Sequence, residues 1–186
     1  KLMIVLASQS PRRKELLTSL GYEFIICPSL KEEKFDLSKD LDSALIEVAI
    51  QKGKDVLKKY PNDCIVSADT IVVYQNKILG KPSSKEEAIS CLKQLSGHTH
   101  EVKTGMCVLY KEMMQNKVVT TEVTFRKLSI EEILKYVESG KCMDKAGSYG
   151  IQECDFVDSI KGSYSNVVGL DLKSIDLMLK TVQSGK

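Results

Sequence analysis

The chain has 186 residues, 42% of them hydrophobic, enough to bury one sizeable core or two small lobes sharing one sheet. Its formal net charge of +2, with charged residues well mixed, argues against a nucleic-acid binder or nuclease, which would carry a basic stripe. No apolar run approaches the ~20 residues of a membrane span, and the run from Leu2 to Ala7 is too short for the apolar region of a signal peptide.

In chain order, an apolar strand over 3–7 leads into a helix over 11–20, with Ser10 as N-cap, Pro11 at the first helical position and Gly21 as the stop. Lys1, standing in place of an initiator methionine, suggests a trimmed or engineered start. Tyr22 to Cys27 alternates weakly as a second strand, and the charged segment from Ser29 to Leu41 reads as a mobile loop. Leu41, Ala44, Leu45, Val48 and Ala49 recur at helical spacing, which predicts a helix from about Asp42 to Lys59, ending before Pro61. Cys64 to Tyr74 is the strongest strand, followed by a turn over 75–77 and a short strand. Ser84 and Glu87 predict a capping box on a helix that runs to Leu95 and stops at Gly97. Val102–Tyr110 and Lys117–Lys127 predict a hairpin, and Ser129 with Glu132 predicts a second capping box on a helix ending near Gly140. A glycine-rich loop over Ala146–Gly150, a strand near Phe156–Ile160, a helix over Leu172–Val182 and a frayed tail over 183–186 complete the chain. Interleaved helices and strands with hairpins imply an α/β fold with a mixed sheet.

Six cysteines (Cys27, Cys64, Cys91, Cys107, Cys142 and Cys154) are scattered without Cys-x-x-Cys spacing. With only His98 and His100 to add ligands, no structural zinc site is expected, and the thiols read as reduced core residues of a cytoplasmic protein. The stretch Ser96-Gly97-His98-Thr99-His100 reads as a turn.

Several residues carry chemistry. Arg12, Arg13 and Lys14 crowd a helix N-terminus, where the macrodipole already disfavours cations; an incoming anion offsets that cost, and free N–H groups at a helix start suit phosphate. Asp69 is a carboxylate inside an apolar strand, expensive unless paired or bound to a metal, and able to activate water or hold a cation against phosphate. Gly80-Lys81-Pro82 presents a lysine on a stiffened turn. Lys52, on the helix, is either a snorkelling residue at the core edge or a second phosphate contact. Glu32 and Glu33 are either plain surface charge or, in a phosphate site, the second source of carboxylate for Mg²⁺, and Gln152 offers an amide able to read a base edge. Spacing alone reaches a phosphate-handling site and stops there.

As a set the motifs resemble the Maf family. They are Leu6-Ala-Ser-x-Ser-Pro-Arg-Arg-x-Glu-Leu-Leu17, Ala68-Asp-Thr70, Gly80-Lys-Pro82, Leu95-Ser-Gly-x-x-His-x-Val-x-Thr-Gly105, Ala146-Gly-x-Tyr-Gly-Ile-Gln152 and Ile160-x-Gly-Ser-Tyr-x-Asn-Val-Val-Gly-Leu170. The resemblance spans essentially the whole chain. It implies a single Maf-like α/β domain: an elongated two-lobed fold, a mixed twisted sheet flanked by helices and a cleft between lobes, similar to inosine triphosphate pyrophosphatases. It further implies a nucleoside triphosphate pyrophosphatase of a family first linked with septum formation. Arg12, Thr70 and Gln152 resemble the branch acting on dTTP and UTP, and Gln152 can pair with the imide edge shared by thymine and uracil.

By the same resemblance Asp69, Lys81 and Glu33 are expected to be catalytic. Ser8, Arg12, Arg13, Lys52, Thr70 and Gln152 are expected to bind substrate, and Asp69 with Glu32 or Glu33 to hold Mg²⁺ or Mn²⁺. A homodimer is compatible with the family; nucleic acid and membrane are not expected partners. Three departures stand out: Asp171 where Gly-Leu-Pro is usual, the sequence Leu30-Lys31-Glu32-Glu33-Lys34 in the acidic motif, and Glu153-Cys154 where glycine often follows the glutamine. The alternative from another class is a regulator of septation that binds nucleotide without hydrolysis.

Overall fold

The computed structural model describes residues 2–185; Lys1 and Lys186 lie outside the described residues, and with them the trimmed start and the last residue of the frayed tail. The first elements are β1 (Ile4–Leu6), α1 (Pro11–Ser19), β2 (Phe24–Ile26), α2 (Leu41–Leu57), β3 (Cys64–Tyr74) and β4 (Lys77–Leu79). Then come α3 (Lys85–Leu95), β5 (Thr99–Tyr110), β6 (Met113–Phe125), α4 (Ile130–Glu138), a 3₁₀ turn (Ala146–Ser148), β7 (Val157–Lys161), α5 (Tyr164–Val168) and α6 (Leu172–Gln183). The strands form one sheet in the order β2-β1-β3-β5-β6-β7, with β4 paired to β3. β1 is parallel to β2 and β3, whereas β3–β4 and β6–β7 are antiparallel, so the fold is α/β with a mixed sheet.

The chain divides into two compact units. The first holds residues up to Asp69, Thr104–Val119 and the stretch from Gly169 onward. Its strands sort their side chains by the period of two. Ile4 and Leu6, Cys64, Val66 and Ala68, and Met106 and Val108 face one cluster with Leu17 of α1 and Ile175, Met178, Leu179 and Val182 of α6. Val5 and Ala7, Ile65, and Cys107 and Leu109 face the other, with Ala49, Ile50 and Val56 of α2. Helices therefore cover both faces of this part of the sheet. Asp171, the departure from Gly-Leu-Pro, is the N-cap of α6: its carboxylate accepts from Ser174 N–H at 3.1 Å and from the Ser174 hydroxyl.

The second unit, Thr70–Lys103 with Thr120–Val168, packs α3 and α4 with Val72, Val102, Val123, Phe125, Tyr149 and Phe156 into its own core. The capping box of α4 is complete, with Ser129 and Glu132 exchanging both bonds. At α3 Ser84 caps Glu87 N–H, but the Glu87 carboxylate accepts from the Ser83 hydroxyl, so the expected box is half formed. The hairpin is longer than predicted and turns at Lys111, whose φ is +55°. The short helix α5 had no sequence signal, and the glycine-rich loop contains the 3₁₀ turn with Gly147 at φ +70°.

His100 is not part of a turn as expected; it is the second residue of β5, buried at 2% exposure. Its Nε2 shares a 2.7 Å hydrogen bond with the Tyr149 hydroxyl, and its ring packs edge-on to Phe125 and Tyr149. Burial pushes its pKa down to about 4. A histidine held neutral in the fold contributes stability that is present above its unfolded pKa of about 6.5 and lost as pH falls through the folded value. Urea unfolding at neutral pH and near pH 4.5 is expected to show a loss about 2–3 kcal/mol larger for wild type than for His100→Gln. Equal losses would contradict a neutral buried His100.

Candidate active site

Asp69 is placed by strand parity. It shares a face of β3 with Ile65 and Ser67, the face covered by α2. Gly53 allows close approach there: a Cβ at this position would stand 2.9 Å from Ser67 Oγ and 3.0 Å from Leu109 Cδ1. Ser67 Oγ donates to Ala49 O at 2.6 Å, fixing the helix on the strand. The neighbouring Lys52 then reaches the carboxylate, its Nζ donating to Asp69 Oδ1 at 2.9 Å and to Ala68 O at 3.4 Å. Asp69 Oδ2 is buried and makes no hydrogen bond to the protein. Lys52, with its side chain 13% exposed, is thus the ion-pair partner of Asp69.

The second carboxylate on Lys52 is Glu33, 2.6 Å from Nζ to Oε1. Asp55, three residues beyond Lys52 on α2, staples the start of the loop, accepting from Ser29 Oγ and Leu30 N–H at 2.9 Å each. That staple and the Lys52 pair bring Glu33, and not Glu32, to Asp69. Glu32 pairs instead with Lys34 at 3.6 Å, both side chains more than four-fifths exposed.

At the start of α1, Ser10 Oγ accepts from Arg13 N–H with Pro11 at the first helical position, as its sequence predicts. Arg13 turns inward: Nε donates to Gly169 O at 2.8 Å and Nη1 to Ser8 Oγ at 3.4 Å. Gly169 has φ +140°, a backbone conformation that favours glycine, and this aims its carbonyl at the guanidinium. Burial lowers the pKa of Arg13, opposed by the negative charge of Asp69, and an arginine stays charged regardless. Burial raises the pKa of Asp69; Lys52 pulls it back, Glu33 raises it again and Arg13 opposes. The first unit therefore holds two bonded groups, Ser8 with Arg13 and Lys52 with Glu33 and Asp69, which the charge of Arg13 on Asp69 links, with the half-buried Arg12 beside Arg13 on the first turn. The Gly169 carbonyl and Asp55 had no sequence signal; Gly53, costly in a helix interior, did.

Thr70, Lys81 and Gln152 belong to the second unit. Lys81 is exposed between Gly80 and the buried Pro82, and Gly147 N–H donates to Gly80 O at 3.2 Å, tying the 3₁₀ turn to the segment that presents the lysine. Gln152 is exposed. Among the described residues no three His, Cys, Asp or Glu side chains cluster to hold a metal, and no helix is long and apolar enough to cross a membrane. The six cysteines are free thiols, four of them buried.

A model of the Maf family, described as Maf-like protein, matches residues 3–182. A Halalkalibacterium halodurans protein called dTTP/UTP pyrophosphatase is 45% identical, covering 95% of this chain and 94% of its own. A Pyrococcus furiosus protein of the same name is 43% identical over 98% and 95%. In structure, the Staphylococcus aureus Ham1 protein superposes with a TM-score of 0.52 at 11% identity over 99% of this chain and 100% of its own, a likeness of α/β fold alone. With a family match across nearly the whole length and relatives 43–45% identical, the chain belongs to the Maf family.

Proposed function

We propose that the protein hydrolyses dTTP and UTP: water attacks the α-phosphorus, the α–β anhydride bond breaks, and monophosphate and pyrophosphate are released. The observation that carries this reading is the buried Asp69 carboxylate, with one oxygen tied to Lys52 and the other making no hydrogen bond to the protein. The relatives' shared name and the Arg12, Thr70 and Gln152 pattern support the choice of dTTP and UTP.

Asp69 Oδ2 takes the proton of the attacking water. Burial makes this carboxylate a stronger base, and Lys52 fixes its orientation and keeps it ionised. Arg12, Arg13 and Lys52, with the N–H groups opening α1, bind phosphate oxygens and offset the charge that gathers on pyrophosphate as the bond breaks. Ser8 accepts from Arg13 and Ser10 N–H, which orients the first turn toward that task. The parts assigned to Thr70, Lys81 and Gln152, with Lys81 on the phosphates and Gln152 on the base, rest on the motifs in which they stand.

Asp69 and Glu33 suit a magnesium or manganese ion, since Mg²⁺ usually takes one or two carboxylates, with substrate oxygens and water completing its shell. Both carboxylates are hard oxygen donors of the right kind, brought together on Lys52. Bound there, the ion supplies charge neutralisation at the phosphate oxygens. The free thiols support a reducing, cytoplasmic setting.

The test is pyrophosphate release from a panel of ordinary and modified nucleoside triphosphates with Mg²⁺ or Mn²⁺ and with EDTA. Metal-dependent release, strongest on dTTP and UTP, is expected. Turnover centred on another base would overturn the substrate assignment, and tight binding without turnover would replace it with the regulatory reading.

A further inference from the structure

The turn that carries Gln152 is clasped at both ends by one buried lysine that the chemistry above does not use. Residues 150–153 form a four-residue turn in which Glu153 N–H donates to Gly150 O at 3.0 Å, leaving Ile151 and Gln152 as its central pair. At the first end, Gly150 N–H donates to the hydroxyl of the buried Tyr136 at 3.0 Å. The same end lies against the stem of Lys145: a Cβ on Gly150 would stand 2.7 Å from Lys145 Cε and 2.9 Å from Cδ, so a larger residue there would push the stem aside. At the second end, Lys145 Nζ sits 2.9 Å from Glu153 Oε2.

The Lys145 side chain is 7% exposed. Its ammonium also donates to Lys141 O and to Asp144 Oδ1, but the Asp144 side chain is 66% exposed, which leaves Glu153 as its better shielded carboxylate. A buried ammonium is costly without a carboxylate, so this pair has strong reason to stay closed.

A glutamine amide is an ambiguous reader. Uracil and thymine offer an N3–H donor beside the O4 acceptor, whereas cytosine offers an acceptor beside its N4 donor. Glutamine matches either edge after rotating its terminal amide. Selectivity therefore depends on how firmly the backbone beneath the amide is held. We propose that Lys145 and Glu153 are specificity-positioning residues: their ion pair, with Tyr136, holds the Gly150–Glu153 turn so that Gln152 meets the imide edge of uracil or thymine and rejects cytosine. This rests on the assignment of Gln152 to the base in the proposed function.

The test compares kcat and KM for UTP and CTP in wild type, Glu153→Gln, Gln152→Ala and the double variant, each checked by thermal melting. Glu153→Gln is expected to keep kcat for UTP within about twofold, raise its KM, and lower the UTP-over-CTP ratio of kcat/KM about tenfold. Added to Gln152→Ala it is expected to change nothing further, because it acts through Gln152. Should Glu153→Gln fail to fold, Tyr136→Phe, which removes only the hydroxyl on Gly150, is expected to move the ratio the same way. If Gln152→Ala collapses the ratio while Glu153→Gln and Tyr136→Phe leave it unchanged, or lower kcat equally for both nucleotides, the clasp is overturned and the base assignment stands. If Gln152→Ala itself leaves the ratio unchanged, the base assignment falls and the clasp with it.

Discussion

Asp69→Asn is expected to lower kcat for pyrophosphate release from UTP by about 100- to 10,000-fold, the range a positioned general base contributes. Asparagine keeps the shape of the side chain and an oxygen for Lys52, but it cannot take a proton from water. Stability should not follow activity down. A carboxyl whose folded pKa lies above its unfolded value of about 3.9 binds its proton more tightly in the fold, so its ionisation at neutral pH costs stability. Removing the charge relieves that cost and leaves Lys52 paired with Glu33. Thermal melting of the variant should therefore give a Tm equal to or above that of wild type. Full turnover by Asp69→Asn would remove the carboxylate from the mechanism.

Lys52→Met has the second largest expected effect, and it strikes both activity and stability. The ammonium bridges Asp69 and Glu33 from a side chain that is 13% exposed. Methionine fills similar volume but leaves a buried carboxylate without its counter-charge, a change that costs about 3–5 kcal/mol. Turnover is expected to fall about 100-fold or more as the fixed cation is lost. The direction of its pH dependence is also set. Lys52 lowers the Asp69 pKa, so its removal raises that value, and the acid limb of the pH–rate profile should move to higher pH, with partial recovery of activity in alkali. A variant with an unmoved acid limb would mean that Asp69 is not the group titrating in that limb.

Much of this site can be read in the sequence wherever a residue contradicts its surroundings. Asp69 stands out because an ionised carboxylate does not belong in an apolar strand, and β3 begins and ends where its Ile- and Val-rich run predicts. Arg13 stands out because cations do not belong in the first turn of a helix. What sequence leaves open is decided by distant packing. The choice between Glu32 and Glu33 depends on Asp55, whose grip on Ser29 and Leu30 links positions 25 and 26 residues apart. The carbonyl on Arg13 comes from Gly169, 156 residues away. Gly97, three residues before His100, points to a turn, while the inward alternation of His100, Val102 and Thr104 along β5 is the signal that agrees with the structure. Asp171 shows that a departure from a motif can keep its purpose, since it caps the helix that proline would have opened.

Attack of water at the α-phosphorus is tested by turnover of UTP in water labelled with oxygen-18 and mass analysis of both products. One labelled oxygen in UMP and unlabelled pyrophosphate are expected. Label in the pyrophosphate, or release of UDP with labelled inorganic phosphate, would place the attack on a different phosphorus and contradict the proposed reaction.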